Sequence, residues 1–136
     1  MLIKDQEERV KQVDPEIQKP LTWIDPKTGL EWQFKSPGKM TWYQAQQYAA
    51  SLSLEGKKGW RLPTLAELES LLDRTKARSD GRPIMREDVP FRDERPYWSS
   101  TTYGANSGSA WIVLFDGGYI LSYYKWNTYY VRCVRG

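Results

Sequence analysis

From Leu21 onward the chain moves between two apolar rhythms. Leu21-Thr22-Trp23-Ile24 and Leu30-Glu31-Trp32-Gln33-Phe34 read as strands, and a period of two places Leu30, Trp32 and Phe34 on one face. Asp25-Pro26-Lys27-Thr28-Gly29 between them is turn chemistry, because proline presets φ and glycine accepts positive φ. The rhythm then becomes helical. Trp42, Ala45, Ala49 and Leu52 fall on one stripe behind Thr41-Trp42-Tyr43-Gln44, a capping-box pattern, which predicts a helix ending near Leu54 with Trp42 in the core. Gly59-Trp60-Arg61-Leu62-Pro63 leads to a second capping box, Thr64 with Glu67. Leu65, Leu68, Leu71 and Leu72 form the buried stripe of a helix predicted to end near Arg74. Arg61, just before this helix, reads as an ion pair or carbonyl clamp locking the loop, in preference to a ligand contact.

Residues 75–96 are rich in Arg, Asp, Glu and Pro with almost no periodicity. They read as a long surface loop, either a solvated connector or a docking edge for an acidic partner. After Pro96 strands resume. Trp111, Val113 and Phe115 point one way, Ile112 and Leu114 the other; apolar on both sides, this is a central strand covered on both faces. Asp116-Gly117-Gly118 is a hairpin turn, since it lacks the following helix that a phosphate-binding loop requires. Tyr119 to Tyr123 is the next strand, and Lys125-Trp126-Asn127-Thr128 leads to a last one, Tyr129 to Val134. Residues 1–20 are polar and contain Pro15 and Pro20. A helix from Ile3 to Val13 would be marginal alone, so this stretch is expected to be an arm packed on the domain or on a partner.

Composition narrows the chemistry. A length of 136 residues suits one domain with one real core. With 7 Trp and 9 Tyr, not every ring can be deep, because Tyr OH and Trp NH groups want partners. There is no histidine, which removes Ser-His-Asp and Cys-His nucleophile systems, histidine general bases and most catalytic zinc or haem sites. The lone Cys133 excludes an internal disulfide and a thiolate zinc cluster. A net charge of +3, mixed in sign with no basic block, gives nucleic acid little to hold. No stretch could span a bilayer, and the start lacks the apolar run of a signal peptide. The chain is therefore cytoplasmic, or its leader has been replaced by Met1.

Several motifs occur together and in order: the hairpinned N-terminal strands, Thr41-Trp42 with Ala45, Gly59-Trp60-Arg61-Leu62-Pro63-Thr64 with Glu67-Leu68, Tyr97-Trp98-Ser99-Ser100-Thr101-Thr102, Trp111 to Phe115 before Asp116-Gly117, and Tyr129-Tyr130-Val131-Arg132-Cys133-Val134-Arg135. In this set the chain resembles the Lcl C-terminal domain family, named after a collagen-like bacterial adhesin, over about residues 21–136. The resemblance implies an α+β, C-type-lectin-like domain: two helices on a small, twisted, mostly antiparallel sheet, with the termini close together. It also implies an extracellular, cell-surface or periplasmic binding module; the named adhesin binds sulfated polysaccharides. Fold alone does not transfer function. The calcium site of true C-type lectins takes part of its ligands from Trp-Asn-Asp, and here Trp126-Asn127-Thr128 lacks the carboxylate, so no metal and no cofactor is expected. The related formylglycine-generating enzymes need a pair of cysteines, and Cys133 stands alone. The related retroelement variable proteins diversify exposed residues into a palette that Tyr103, Asn106, Ser107, Tyr119, Ser122, Tyr124, Trp126, Asn127 and Tyr129 fit, although ordinary aromatic strand and turn residues would look the same.

The expected function is recognition without catalysis. Glu67, Asp73 and Asp116 are accounted for by helix-surface, helix-end and turn roles, so no catalytic residue is assigned. The ligand, a glycan or a protein, is expected on an aromatic- and amide-rich surface of Tyr103, Asn106, Tyr119, Tyr124, Lys125, Trp126, Asn127 and Tyr129. Rigid rings lose little entropy there, and the amides give direction. For a sulfated glycan the nearest cations are Lys125, Arg132 and Arg135. The alternative is a structural or assembly subunit of an oligomer or larger complex, docking through the N-terminal arm and the 75–96 loop.

Overall fold

The Asp25-Pro26-Lys27-Thr28-Gly29 turn folds as its chemistry dictates: Gly29 adopts a φ of 76° and its N–H donates to the Asp25 carbonyl at 2.8 Å. Strand β1 (Thr22–Ile24) thereby pairs antiparallel with β2 (Glu31–Gln33), with Trp23 opposite Trp32. This computed structural model describes residues 20–77 and 81–136, so the expected arm and its Ile3–Val13 helix lie outside the described residues.

The chain then builds β3 (Lys39–Thr41), α1 (Trp42–Ser51), α2 (Leu65–Glu69), β4 (Leu72–Ala77), β5 (Pro83–Met85), β6 (Pro96–Thr102), β7 (Ser109–Leu114), β8 (Tyr119–Tyr124), β9 (Thr128–Tyr130) and β10 (Val134–Arg135). β10 pairs with β2, placing Val134 opposite Trp32, so the first and last described strands share a three-stranded sheet in the order β1-β2-β10. The larger sheet has the order β3-β9-β6-β7-β8 and is antiparallel except where β6 meets β9. The result is an α+β domain, mostly sheet with two short helices among the described residues.

Both helices start as predicted. Thr41 and Thr64 each accept the N–H of the third helical residue while Gln44 and Glu67 reach back to the cap N–H, completing two capping boxes. The core lies on both sides of β7. Tyr97, Val113 and Phe115 pack with Trp32, Leu68 and Leu71; Trp98, Ala110 and Ile112 pack with Ala45, Ala49, Trp60 and Leu62. This double cover is why the 110–115 run is apolar at every position.

Four expectations need correction. The second helix stops at Glu69, not Arg74: the Leu71 N–H closes a short bond to the Leu68 carbonyl, the Leu71 carbonyl accepts from Arg86 N–H, and Leu72 opens β4. The stretch 75–96 is not a plain surface loop. β4 and β5 pair, and Met85, Val89 and Phe91 are buried in the core beside Trp32. The last strand breaks after Tyr130, because Val131 to Cys133 carry the chain from the larger sheet to the smaller one and are wholly buried. Finally, β3 was not anticipated; it lies between the predicted hairpin and the first helix.

Candidate functional site

The loop after β8 explains why rings collect on one end of the larger sheet. The Asn127 N–H donates to the Tyr124 carbonyl at 2.9 Å, and the Lys125 N–H donates to the Gly108 carbonyl at 2.8 Å. The resulting tight turn throws Trp126 outward, where 74% of it is exposed, while Tyr124 stays 64% exposed. Tyr43, on the first turn of α1, meets the Trp126 ring at a centroid distance of 4.7 Å and a 45° tilt. Its other neighbour is Trp42, edge-on at 5.5 Å.

Beside Tyr124 lies a shallow cleft of about 260 Å³ lined by Tyr103, Asn106, Ser109, Ser122, Tyr123 and Tyr124. Its floor is ordered from below. Tyr103 stands edge-on to Trp111 at 5.0 Å, and Asn106 Oδ1 accepts the Gly108 N–H at 2.9 Å. The cleft therefore offers aromatic walls with hydroxyl and amide groups between them, a lining that stacks on a ring and reads its hydroxyls.

The eight residues expected to form the site do not all converge. Tyr103, Asn106 and Tyr124 line the cleft; Trp126 and Asn127 are exposed on the adjoining turn. Tyr119 sits at the far end of β8, with the Arg82 guanidinium 4.0 Å from its ring centroid. Tyr129 is half-buried, packed edge-on against Trp98 and tilted against Tyr123. Lys125 departs most from expectation. It is only 7% exposed; its Nζ donates to Thr102 Oγ1 at 2.9 Å and lies 4.1 Å from the Trp42 ring centroid. Its turn position points it inward, whereas Trp126 points out. Tyr43, Tyr123 and Ser109 were missed. Tyr43 was legible as the helix residue next to Trp42 but off the buried stripe.

The other two cations named for a sulfated ligand are also engaged. Arg132 is buried, stacked 3.8 Å from the Phe91 ring centroid, and donates to the Gln33 and Phe34 carbonyls. Burial draws its pKa down from the ordinary arginine value. Arg135 pairs with Glu31 at 3.0 Å, which also holds Lys57 at 2.9 Å.

Arg61 forms the expected clamp. It forks onto Glu67 at 2.6 and 2.7 Å, and the Arg61 guanidinium holds the Glu67 carboxyl below its ordinary pKa. Cys133 is fully buried, and burial pushes its thiol up to about 12, far from a thiolate nucleophile at neutral pH. Among the described residues no three Cys, Asp or Glu side chains gather as a metal-binding group, and no helix is long and apolar enough to cross a membrane. A second, larger cleft of about 420 Å³ opens between the sheets, lined by Leu21, Phe34, Asp93, Arg95, Tyr130 and Arg132 among others. Two of its polar groups engage one another: Arg95 Nε lies 3.4 Å from Asp93 Oδ1, and the Arg95 guanidinium stacks 4.7 Å from the Tyr130 ring centroid.

Fold and surface together define a small α+β domain with aromatic rings exposed at one end of its larger sheet. The chain belongs to the Lcl C-terminal domain family, whose model matches residues 21–135. No curated protein matches it.

Proposed function

We propose that this domain is a non-enzymatic, calcium-independent ligand-binding module of C-type-lectin-like architecture, and that it takes a glycan on the surface formed by Trp126, Tyr124 and the Tyr103–Asn106 cleft. The observation that carries the reading is the exposure of Trp126 beside a cleft whose lining alternates rings with hydroxyl and amide groups. A large indole left mostly in water at the tip of a tight turn, touching the domain through Tyr43, presents a ring of the kind that stacks on the apolar faces of sugars. The lectin-like architecture is supported by the junction of first and last strands in one small sheet and by two capped helices beside a mostly antiparallel second sheet.

The engagement of the three named cations selects among glycans. Lys125, Arg132 and Arg135 all spend their charge inside the domain or on Glu31, which favours an uncharged glycan over a sulfated one. A glycan array probed at low and at physiological salt tests both points. Binding to neutral glycans that survives added salt is expected; no binding at either salt rejects the glycan reading, and binding only to sulfated glycans at low salt rejects the neutral one.

A further inference from the structure

The larger sheet ends on β8, and the backbone register shows which of its groups are unused. Lys125 N–H bonds to the Gly108 carbonyl, which makes that pair a hydrogen-bonded one. The β7–β8 register runs unbroken from Ser109 opposite Tyr124 to Leu114 opposite Tyr119. Antiparallel pairs alternate between hydrogen-bonded and non-bonded, so Tyr119, Leu121 and Tyr123 bond to β7. Ile120, Ser122 and Tyr124 therefore turn their N–H groups away from β7, to an edge where no strand pairs among the described residues.

Sheet edges are ordinarily blunted by charge, proline or a bulge. The opposite edge of this sheet, β3, follows Pro37 and Gly38 and begins with Lys39. The β8 edge has none of these: it reads Tyr119-Ile120-Leu121-Ser122-Tyr123-Tyr124, and Tyr119, Leu121, Tyr123 and Tyr124 are exposed.

We infer that β8 is a self-association edge, pairing antiparallel with β8 of a second copy of this chain about a two-fold axis at Ser122. In that register Ser122 faces Ser122 of the other copy, and Ile120 faces its Tyr124. The Ser122 and Tyr124 N–H groups then meet the Ser122 and Ile120 carbonyls of the other copy, while Ile120 N–H shares the Tyr124 carbonyl that already accepts from Asn127. The side chains fit the same register. Leu121 of one copy meets Tyr123 of the other on one face, Ile120 meets Tyr124 on the other face, and the serines meet at the axis; aromatic–aliphatic and hydroxyl pairs of this kind stabilise cross-strand contacts. With no charged residue on β8 itself, the two strands do not repel one another, and two five-stranded sheets join into one continuous sheet. The exposed portions of Leu121, Tyr123 and Tyr124 come to on the order of 300 Å² per copy, which with the backbone stays below a standard interface and points to a weak dimer.

The inference goes beyond glycan binding, and because Ser122, Tyr123 and Tyr124 belong to both the cleft and this edge, the dimer is judged by mass and amide exchange in the absence of sugar, so that its failure and the failure of the glycan reading are distinct results. Sedimentation of the full chain from about 1 to about 500 µM should show the mass rising from one chain to two. Ser122→Pro removes an outward N–H without touching the bonds to β7, so it should stay monomeric while keeping the parent circular dichroism and melting midpoint. Should that variant not fold, hydrogen exchange of the parent decides. The amides of Ile120, Ser122 and Tyr124 should be protected in concentrated but not dilute protein, while those of Leu121 and Tyr123 are protected in both. A single-chain mass throughout, or a dimer in which those three amides exchange as fast as in dilute protein, overturns the inference.

Discussion

Arg86 grips Asp25 with both terminal nitrogens, Nη1 to Oδ2 and Nη2 to Oδ1 at 2.8 Å each, across 61 residues of sequence, and both side chains are buried. Arg86 Nη1 also donates to the Ser70 carbonyl at the end of α2, and Nη2 reaches Asp88. One guanidinium thus ties the first turn of the domain to a helix end and to the segment after β5. Arg86→Met leaves Asp25 buried and uncompensated and should lower unfolding free energy by about 3–5 kcal/mol. Denaturant unfolding measures it, and adding Asp25→Leu should recover a large part of the loss.

The same pair sets an acid sensitivity. Hydrogen bonds from Arg86, helped by the Lys27 N–H against the cost of burial, hold the Asp25 pKa below its ordinary value. A depressed folded-state pKa contributes stability that is present above the unfolded value of about 4 and is lost as pH falls through the folded one. Asp25→Asn should therefore be less stable than the parent at neutral pH, with a shallower further loss between about pH 5 and about pH 2. Unfolding curves across that range give both quantities.

At the ring surface, binding and folding should separate. Trp126→Ala and Tyr124→Ala remove side chains that are mostly in water, so unfolding free energy should stay within about 0.5 kcal/mol of the parent while glycan affinity is lost. Calorimetric titration beside a melting curve checks the pair. A large drop in stability would mean that these rings hold the fold together.

Cys133 should ignore thiol reagents in the folded protein. Burial raises its pKa to about 12 and excludes the reagent, so labelling at about pH 8 should wait on unfolding and become rapid in denaturant. A fast reaction of native protein would contradict the burial.

Much of the architecture was readable because it rests on local rules. The two Thr-initiated capping boxes, the Gly29 turn and the double-sided 110–115 strand each follow from a few adjacent residues. What stayed hidden was set by distant partners. Nothing near Leu72 announces that it leaves the helical stripe; the Leu71 carbonyl is claimed by Arg86, which sits in a charged run that periodicity cannot resolve. Lys125 and Trp126 are neighbours in an exposed-looking turn, and only the Thr102 hydroxyl and Trp42 ring decide that the lysine turns in. The separation of Tyr119 from Tyr124 follows from β8 being extended, which places its two ends apart although both rings fit the same palette.

The junction of β2 with β10 has a kinetic side. Arg135 reaches Glu31 across 104 positions, and the Cys133 N–H meets Gln33 Oε1 across 100. During synthesis the inner edge of β2 must stay open until nearly the whole domain has left the ribosome. Such long-range closure slows folding, because loop entropy is lost before the contact is gained. The nascent chain is therefore exposed to mispairing at β2 until Val134 and Arg135 arrive.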